Sequence, residues 1–355
     1  MKKAALLIGA GSIILFLFLA ACRPAEKAGR PDLDPFFSKP DVTIAVTDSG
    51  LGGLAIMAQA AARLKAARIF KSVNLVFFNA LFSNDSGYNS LPSRAEKIAV
   101  FNSALESLAQ QYRPDLILVG CNTLSVLYEE TPFFKQAKIP VLGIVEPGVD
   151  LLSNGLEKKP GSAAIIFGTE TTIGEGEHKK RLLEKGFPEE RIVTQACPEL
   201  AGYIENGLHG EDTGLLIESY VDEALANLKN RMAHIWVSLN CTHFGYSLDL
   251  WKKAFESRGI KSFFILNPNS KMTDILISPK YEKRFADTAV RAKAVSMVEV
   301  GRPKIDSLGA WLRRVSPETA DALAQVELKP DLFEWKRFIK RWDRRVVSPE
   351  RDPSP

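Results

Sequence analysis

The chain has 355 residues, is 46% hydrophobic and 25% charged, and carries a formal net charge of +4. That composition excludes a disordered or collagen-like chain and allows two domains of ordinary size, each with its own core. Lys2 and Lys3 lie in a leader-like segment, and without them 44 basic residues stand against 42 acidic ones, so charge gives no reason to expect nucleic acid.

In chain order, the first element is a positive start followed by an apolar run over residues 4–18 and the string Leu19-Ala20-Ala21-Cys22. This order is that of a secretory leader, and the string resembles the lipobox of bacterial lipoproteins. The resemblance implies a signal peptide over residues 1–21, lipidation of Cys22, and a membrane-anchored protein facing the periplasm or cell surface. Several acyl chains on one residue anchor stably. An uncleaved span is the alternative, but the run is shorter than the roughly 20 residues that cross a bilayer. Pro24, Pro31, Pro35 and Pro40 then lie among charged residues, which makes 22–40 an extended tether.

Order is expected from Val42. A β-rich run at 42–47, the turn Asp48-Ser49-Gly50-Leu51-Gly52-Gly53 and an alanine-rich helix at 54–65 form the first half of a βαβ unit. The pattern repeats with a strand at 74–78, a helix at 94–112, a strand at 115–119, a helix from Thr123 and a strand at 141–145. A second series has strands at 163–167, 192–194 and 235–239, with helices at 175–185, 199–205 and 214–230. The fold class is therefore α/β: two similar doubly wound lobes with the active site in the cleft between them. The first lobe spans 41–148, completed by about 247–278, and the second spans 149–246. Residues 279–346 read as a helical C-terminal extension, with helices at 307–315, 317–326 and 332–345. The last carries an apolar stripe of Phe333, Trp335, Phe338, Ile339 and Trp342, which suits packing on the lobes or on another subunit. Its basic pairs, Lys336-Arg337, Lys340-Arg341 and Arg344-Arg345, suit a solvated face. The Pro-rich stretch 347–355 reads as a disordered tail.

With Cys22 lipidated, three cysteines remain, and an odd number leaves at least one thiol free within a monomer. Cys121 and Cys241 each follow an apolar run that reads as a buried strand, at the carboxyl end where open α/β sheets place ligands. Hydroxyl residues follow each of them: Cys121-Asn122-Thr123 and Cys241-Thr242-His243. Cys197, in Gln195-Ala196-Cys197-Pro198, lacks such neighbours and reads as structural. The glycine-rich turn matches neither the dinucleotide fingerprint nor the P-loop, and Asp48 would repel a phosphate held there. Asp48 therefore reads as a proton-handling or orienting group and Ser49 as a ligand contact, the alternative being that both merely cap the following helix. The histidines are too scattered to suggest a metal site, and no cofactor is expected.

Seven strings in order are similar to those of the cofactor-independent glutamate racemases of the aspartate/glutamate racemase superfamily. They are Asp48-Ser49-Gly50-Leu51-Gly52-Gly53-Leu54, Cys121-Asn122-Thr123, the run from Ile139 to Pro147, Gly168-Thr169-Glu170-Thr171-Thr172-Ile173, Ala196-Cys197-Pro198, Ile204-Glu205-Asn206-Gly207 and Cys241-Thr242-His243. The resemblance runs from Ile44 to about Asp274. It implies racemisation of a small amino-acid substrate by two opposing cysteines, Cys121 and Cys241, one removing the α-proton while the other supplies a proton to the opposite face. It further implies that Asp48 and His243 set the protonation states of the sulfurs, and that Glu146 orients His243. Ser49, Asn122, Thr123, Thr169, Thr171, Thr172 and Thr242 are then the substrate-binding residues, holding the ammonium and carboxylate through neutral hydrogen bonds. The family often dimerises, which leaves a homodimer open.

The chain also departs from the family's pattern. The family's Pro-Tyr-Gly turn, which contacts the side-chain carboxylate of glutamate, is absent from the stretch Phe78 to Asn89, and Asp85 there would oppose a second carboxylate. Asn240 and Phe244-Gly245 replace a glycine and an aromatic-proline pair, and His178 stands where a tyrosine is common. The expected reaction is racemisation of glutamate or a related amino acid. The alternative is a catalytically inactive relative that binds an amino acid or a peptidoglycan fragment.

Overall fold

The structure is a computed structural model and describes residues 31–228 and 234–339. The expected leader, Cys22, most of the expected tether, residues 229–233 and everything after residue 339 lie outside the described residues. Among the described residues no helix is long and apolar enough to cross a membrane.

Among the described residues, ten strands form two all-parallel sheets. The first contains β1 (Asp41–Asp48), β2 (Ser72–Asn79), β3 (Leu116–Val119), β4 (Val141–Gly143), β9 (Ala289–Ser296) and β10 (Glu327–Leu328), in the order β10-β9-β2-β1-β3-β4. The second contains β5 (Ala163–Gly168), β6 (Ile192–Ala196), β7 (Ile235–Asn240) and β8 (Phe263–Leu266), in the order β6-β5-β7-β8. Parallel strands require crossovers, and helices cover both faces, so β3 and β5 are apolar and buried along their whole length. In β1 and β3, successive residues feed opposite cores. Ile44, Val46, Leu116 and Leu118 pack with the helix Leu54–Ala67, whereas Ala45, Ile117 and Val119 pack with the helix Arg94–Tyr112.

Each sheet has one point where the chain turns from one side to the other. In the first, β2 and β3 flank β1; in the second, β6 and β7 flank β5. Crevices form at the carboxyl ends of strands at such points. Register then places particular residues there. Val119 lies opposite Thr47, so Cys121 emerges beside Ser49, and Asn240 lies opposite Gly168, so Cys241 emerges beside Thr169.

Several boundaries differ from the sequence reading. Strand β8 pairs with β7 and so extends the second sheet, while the end of the same segment meets the helix Leu54–Ala67, where Arg63 bonds Thr273 and Asp274. The stretch after residue 279 is not simply helical: β9 pairs with β2 over eight residues, from Ser72↔Ala289 to Asn79↔Ser296, and widens the first sheet. The helices Arg302–Val315 and Pro317–Ala324 follow it. Beyond them Leu332, Phe333, Trp335 and Ile339 are buried, with Phe333 6.0 Å from Phe78 and Trp335 5.1 Å from Phe82, ring centre to ring centre. The described part of the expected helix at 332–345 has only a short 3-10 turn, Lys336–Phe338, so the aromatic residues act as a strap over the sheet.

Part of the tether also belongs to the fold. Asp34–Phe37 is a short helix that buries Phe36 and Phe37, both packed on Phe70. The strand expected at 141–145 ends at Gly143, and Val145 starts the helix Val145–Lys158.

Candidate active site

The two switch points contribute to one cavity of about 820 Å³. Its wall includes Asp48 and Ser49 after β1, Cys121, Asn122 and Thr123 after β3, Thr169 after β5, and Cys241, Thr242 and His243 after β7. The structure thus brings together nine of the twelve residues expected to act on or hold a substrate. Cys121, Cys197 and Cys241 are all free and buried.

On the side of the first lobe, Cys121 Sγ lies 3.1 Å from Ser49 Oγ. Burial, then the nearby Asp48 carboxylate, push the Cys121 thiol far above its ordinary value, so it rests protonated. Asp48 is 1% exposed, and its Oδ2 accepts a 2.7 Å hydrogen bond from Thr242 Oγ1 of the other lobe. Burial raises its pKa, against the opposing pull of His243, Thr242 and Cys121.

On the side of the second lobe, His243 Nδ1 lies 3.6 Å from Cys241 Sγ, and Nε2 lies 2.7 Å from Glu205 Oε1. Burial disfavours the imidazolium, but the bonds to Cys241 and Glu205 outweigh it and raise the His243 pKa well above the usual value. Glu205 is held down to about 2, because the His243 bond and charge, together with Lys304, overcome its burial. Glu205 Oε1 also accepts from the Leu51 amide at 2.9 Å, and Lys304 Nζ donates to Oε2 at 2.7 Å.

Glu205 therefore occupies the position assigned to Glu146 in the sequence. Glu146 lies in the first turn of Val145–Lys158 and pairs with Arg181, outside the cavity wall. The end of the strand at Gly143 is the physical reason, since it turns residue 146 into a different element. Glu205 was visible as part of the string Ile204-Glu205-Asn206-Gly207, but its partner is 38 positions away and no spacing rule links them.

Two other expected contacts sit behind the wall. Thr171 accepts from Lys97 Nζ at 2.8 Å, and Thr172 Oγ1 lies 3.0 Å from Thr169 Oγ1. Thr169 in turn lies 2.8 Å from Thr123 Oγ1, a hydroxyl link between the lobes. Cys197 reaches the cavity wall as well, and burial holds its thiol well above the ordinary range. His178 is buried away from the cavity, its pKa lowered to about 4 by burial and then by Arg181. Tyr88 and Asn240 also line the cavity, and sequence reasoning did not assign either to the site.

The glycine-rich turn serves close approach of the lobes. A Cβ at Gly52 would come within 2.7 Å of His243 Nδ1 and closer still to Thr242 Oγ1, and one at Gly50 would lie 3.0 Å from His243 Cε1. Glycine is required there because the turn of one lobe presses against the histidine of the other. Among the described residues no cluster of three or more histidine, cysteine or acidic side chains is placed to hold a metal ion.

No protein-family model matches the chain. Among curated proteins, the glutamate racemase of Clostridium botulinum (strain Alaska E43 / Type E3) is 31% identical over 200 residues, covering 56% of this chain and 70% of that protein. The glutamate racemase of Aquifex pyrophilus is 29% identical over 204 residues, covering 57% and 70%. Solved structures share the fold over a longer stretch. Glutamate racemase isoform RacE1 from Bacillus anthracis superposes with a TM-score of 0.61 at 20% identity, covering 82% of this chain and 99% of its own. The Aquifex pyrophilus glutamate racemase structure gives 0.55 at 23% identity, covering 78% and 96%. The ordered motifs and the extent of these matches lead to one conclusion: the chain belongs to the glutamate racemase family.

Proposed function

We propose that the protein racemises an α-amino acid, glutamate or a related one, by a cofactor-independent two-base mechanism. The observation that carries this reading is that Cys121 and Cys241, from different sheets, line one cavity, each with its own supporting polar groups. A positive imidazole beside a sulfur favours negative charge on it, so Cys241 is assigned as the thiolate base and Cys121 as the thiol acid. Cys241 takes the α-proton, and the electron pair left on carbon spreads into the substrate carboxylate. Cys121 then delivers its proton to the opposite face, leaving the inverted amino acid, a thiol at 241 and a thiolate at 121. The reverse reaction uses the exchanged states, and proton exchange with solvent restores the first.

Asn122 supports substrate binding directly, because both polar atoms of its buried amide lack a protein partner in the cavity wall. Ser49, Thr123, Thr169 and Thr242 supply neutral hydrogen bonds nearby, with Thr171 and Thr172 holding the hydroxyl cluster from behind. We further place the protein on the periplasmic or cell-surface side of a bacterial membrane through lipidated Cys22, on the strength of the leader and lipobox strings.

Chiral chromatography of single amino-acid enantiomers incubated with reduced protein tests the reaction. Wild type should approach a racemic mixture, and Cys121→Ala and Cys241→Ala should each lower the rate by at least about a hundredfold while remaining folded. Racemisation that survives either substitution would refute the two-cysteine assignment, and tight binding without turnover would favour a binding protein. Radiolabelled fatty acid should enter the full chain and not Cys22→Ala in a bacterial host.

A further inference from the structure

Four carboxylates, Asp85, Glu170, Glu199 and Asp212, stand in the wall of the cavity that holds the two cysteines. All four are exposed, and none makes a side-chain hydrogen bond or ion pair with a described residue. The wall contains no lysine or arginine. Its one basic side chain, His243, is already engaged by Glu205 and Cys241. Lys97, bonded to Thr171 behind the wall, offsets part of the charge of Glu170, and the negative charge left in the wall is focused by the cleft, raising the local concentration of cations and excluding anions.

A second observation points to a polar ligand in the same space. The Tyr88 hydroxyl and the Asn240 Nδ2 amide are buried in the cavity wall without a protein partner, on residues 2% and 0% exposed. Buried polar groups of this kind are normally satisfied by something bound. Beside the acids, Tyr203 stands in the wall 41% exposed, an aromatic surface of the kind on which an ammonium or guanidinium packs favourably.

We propose that the side chain this site accepts is cationic, so that the substrate is an α-amino acid carrying a second ammonium or a guanidinium rather than a second carboxylate. This rests on the racemase reading of the same cavity. The neutral amide and hydroxyl groups near the cysteines hold the α-carboxylate and α-ammonium. The four carboxylates and Tyr203 receive the distal cation. A dicarboxylic amino acid brings a like charge toward the same acids, and the altered turn around Asp85 adds to that opposition.

The test measures kcat/KM for α-proton exchange by the full-length, solubilised, reduced protein, with lysine, ornithine and arginine against glutamine, glutamate and aspartate, at low and high salt. The cationic substrates should exceed glutamine by about tenfold or more at low salt and glutamate by more still, with the gap narrowing as salt rises. The double substitution Asp85→Asn with Glu199→Gln should raise KM for the cationic substrates several-fold and leave kcat close to wild type. Exchange of glutamate or glutamine as fast as the cationic amino acids would overturn the proposal while leaving the racemase reading intact. Absence of exchange with every substrate would overturn both.

Discussion

Glu205 accepts a 2.7 Å hydrogen bond from His243 Nε2, and the other ring nitrogen of that histidine faces the sulfur of Cys241 at 3.6 Å. A buried carboxylate thereby fixes the tautomer, the orientation and the charge of the group beside the proposed base. Glu205→Gln keeps the shape and removes the charge, so kcat should fall by about a hundredfold. Glu146→Gln, at the carboxylate paired with Arg181 near the surface, should stay within about twofold of wild type. Steady-state kinetics of the two variants side by side checks the assignment, and the reverse ranking would sink it.

The same pair has a pH signature in stability. Glu205 has its folded pKa depressed from 4.5 to about 2, so its contribution is present above 4.5 and is lost as pH falls toward 2. His243 has its folded pKa raised well above 6.5, so its contribution is complete below 6.5 and is lost as pH climbs through the raised value. The difference in Tm between wild type and Glu205→Gln should therefore be largest at about pH 5 to 6 and shrink on both sides. A difference that does not vary with pH would contradict the ion pair.

Lys304 reaches Glu205 Oε2 at 2.7 Å from the first turn of Arg302–Val315, beyond the stretch over which the sequence resembles the family. Its charge helps hold Glu205 ionised. Lys304→Met should move the acidic limb of the kcat/KM profile toward neutrality by about one pH unit, with Lys304→Arg restoring it. Because Lys304 acts through its bond to Glu205, KM should change less than kcat. An acidic limb that stays in place in Lys304→Met would show that Glu205 does not depend on it.

Gly52 sits where the turn after β1 meets Thr242 and His243 of the second lobe. Gly52→Ala should destabilise the protein by about 1–3 kcal/mol, since backbone and histidine must both shift to admit the methyl group. Activity should fall further than stability alone explains, because the displaced ring is the one beside Cys241. Chemical denaturation together with kcat measured well below Tm separates the two effects.

Much of this arrangement was legible in the sequence because its signals are local. Apolar runs before Cys121 and Cys241 announced buried parallel strands, and the carboxyl end of such a strand is where chemistry accumulates. The helix expected at 94–112 forms as Arg94–Tyr112, with the Ser93 side chain capping its first turn. What was missed depended on partners far away in the chain. Strand β9 reads Ala-Val-Arg-Ala-Lys-Ala-Val-Ser, whose charged residues disguise a strand that is stabilised by pairing along the whole of β2. Glu146 was likewise misassigned where the end of a strand was expected at residue 145: the strand ends at Gly143, and Val145–Lys158 carries Glu146 into a helix. Phe333 and Trp335 repeat the lesson: helical spacing described their stripe, while their burial comes from packing on Phe78 and Phe82 without a helix.

The central claim is that two different sulfurs serve the two faces of the substrate, and the distribution of deuterium in D₂O tests it most directly. A single enantiomer of an accepted amino acid is incubated with reduced protein, and each enantiomer is separated and examined for α-deuterium in the earliest phase of reaction. Two bases predict that the newly formed enantiomer carries deuterium while the recovered starting enantiomer keeps its proton. Deuterium appearing in the starting enantiomer as fast as the product forms would mean one group reaches both faces, and would contradict the roles given to Cys121 and Cys241.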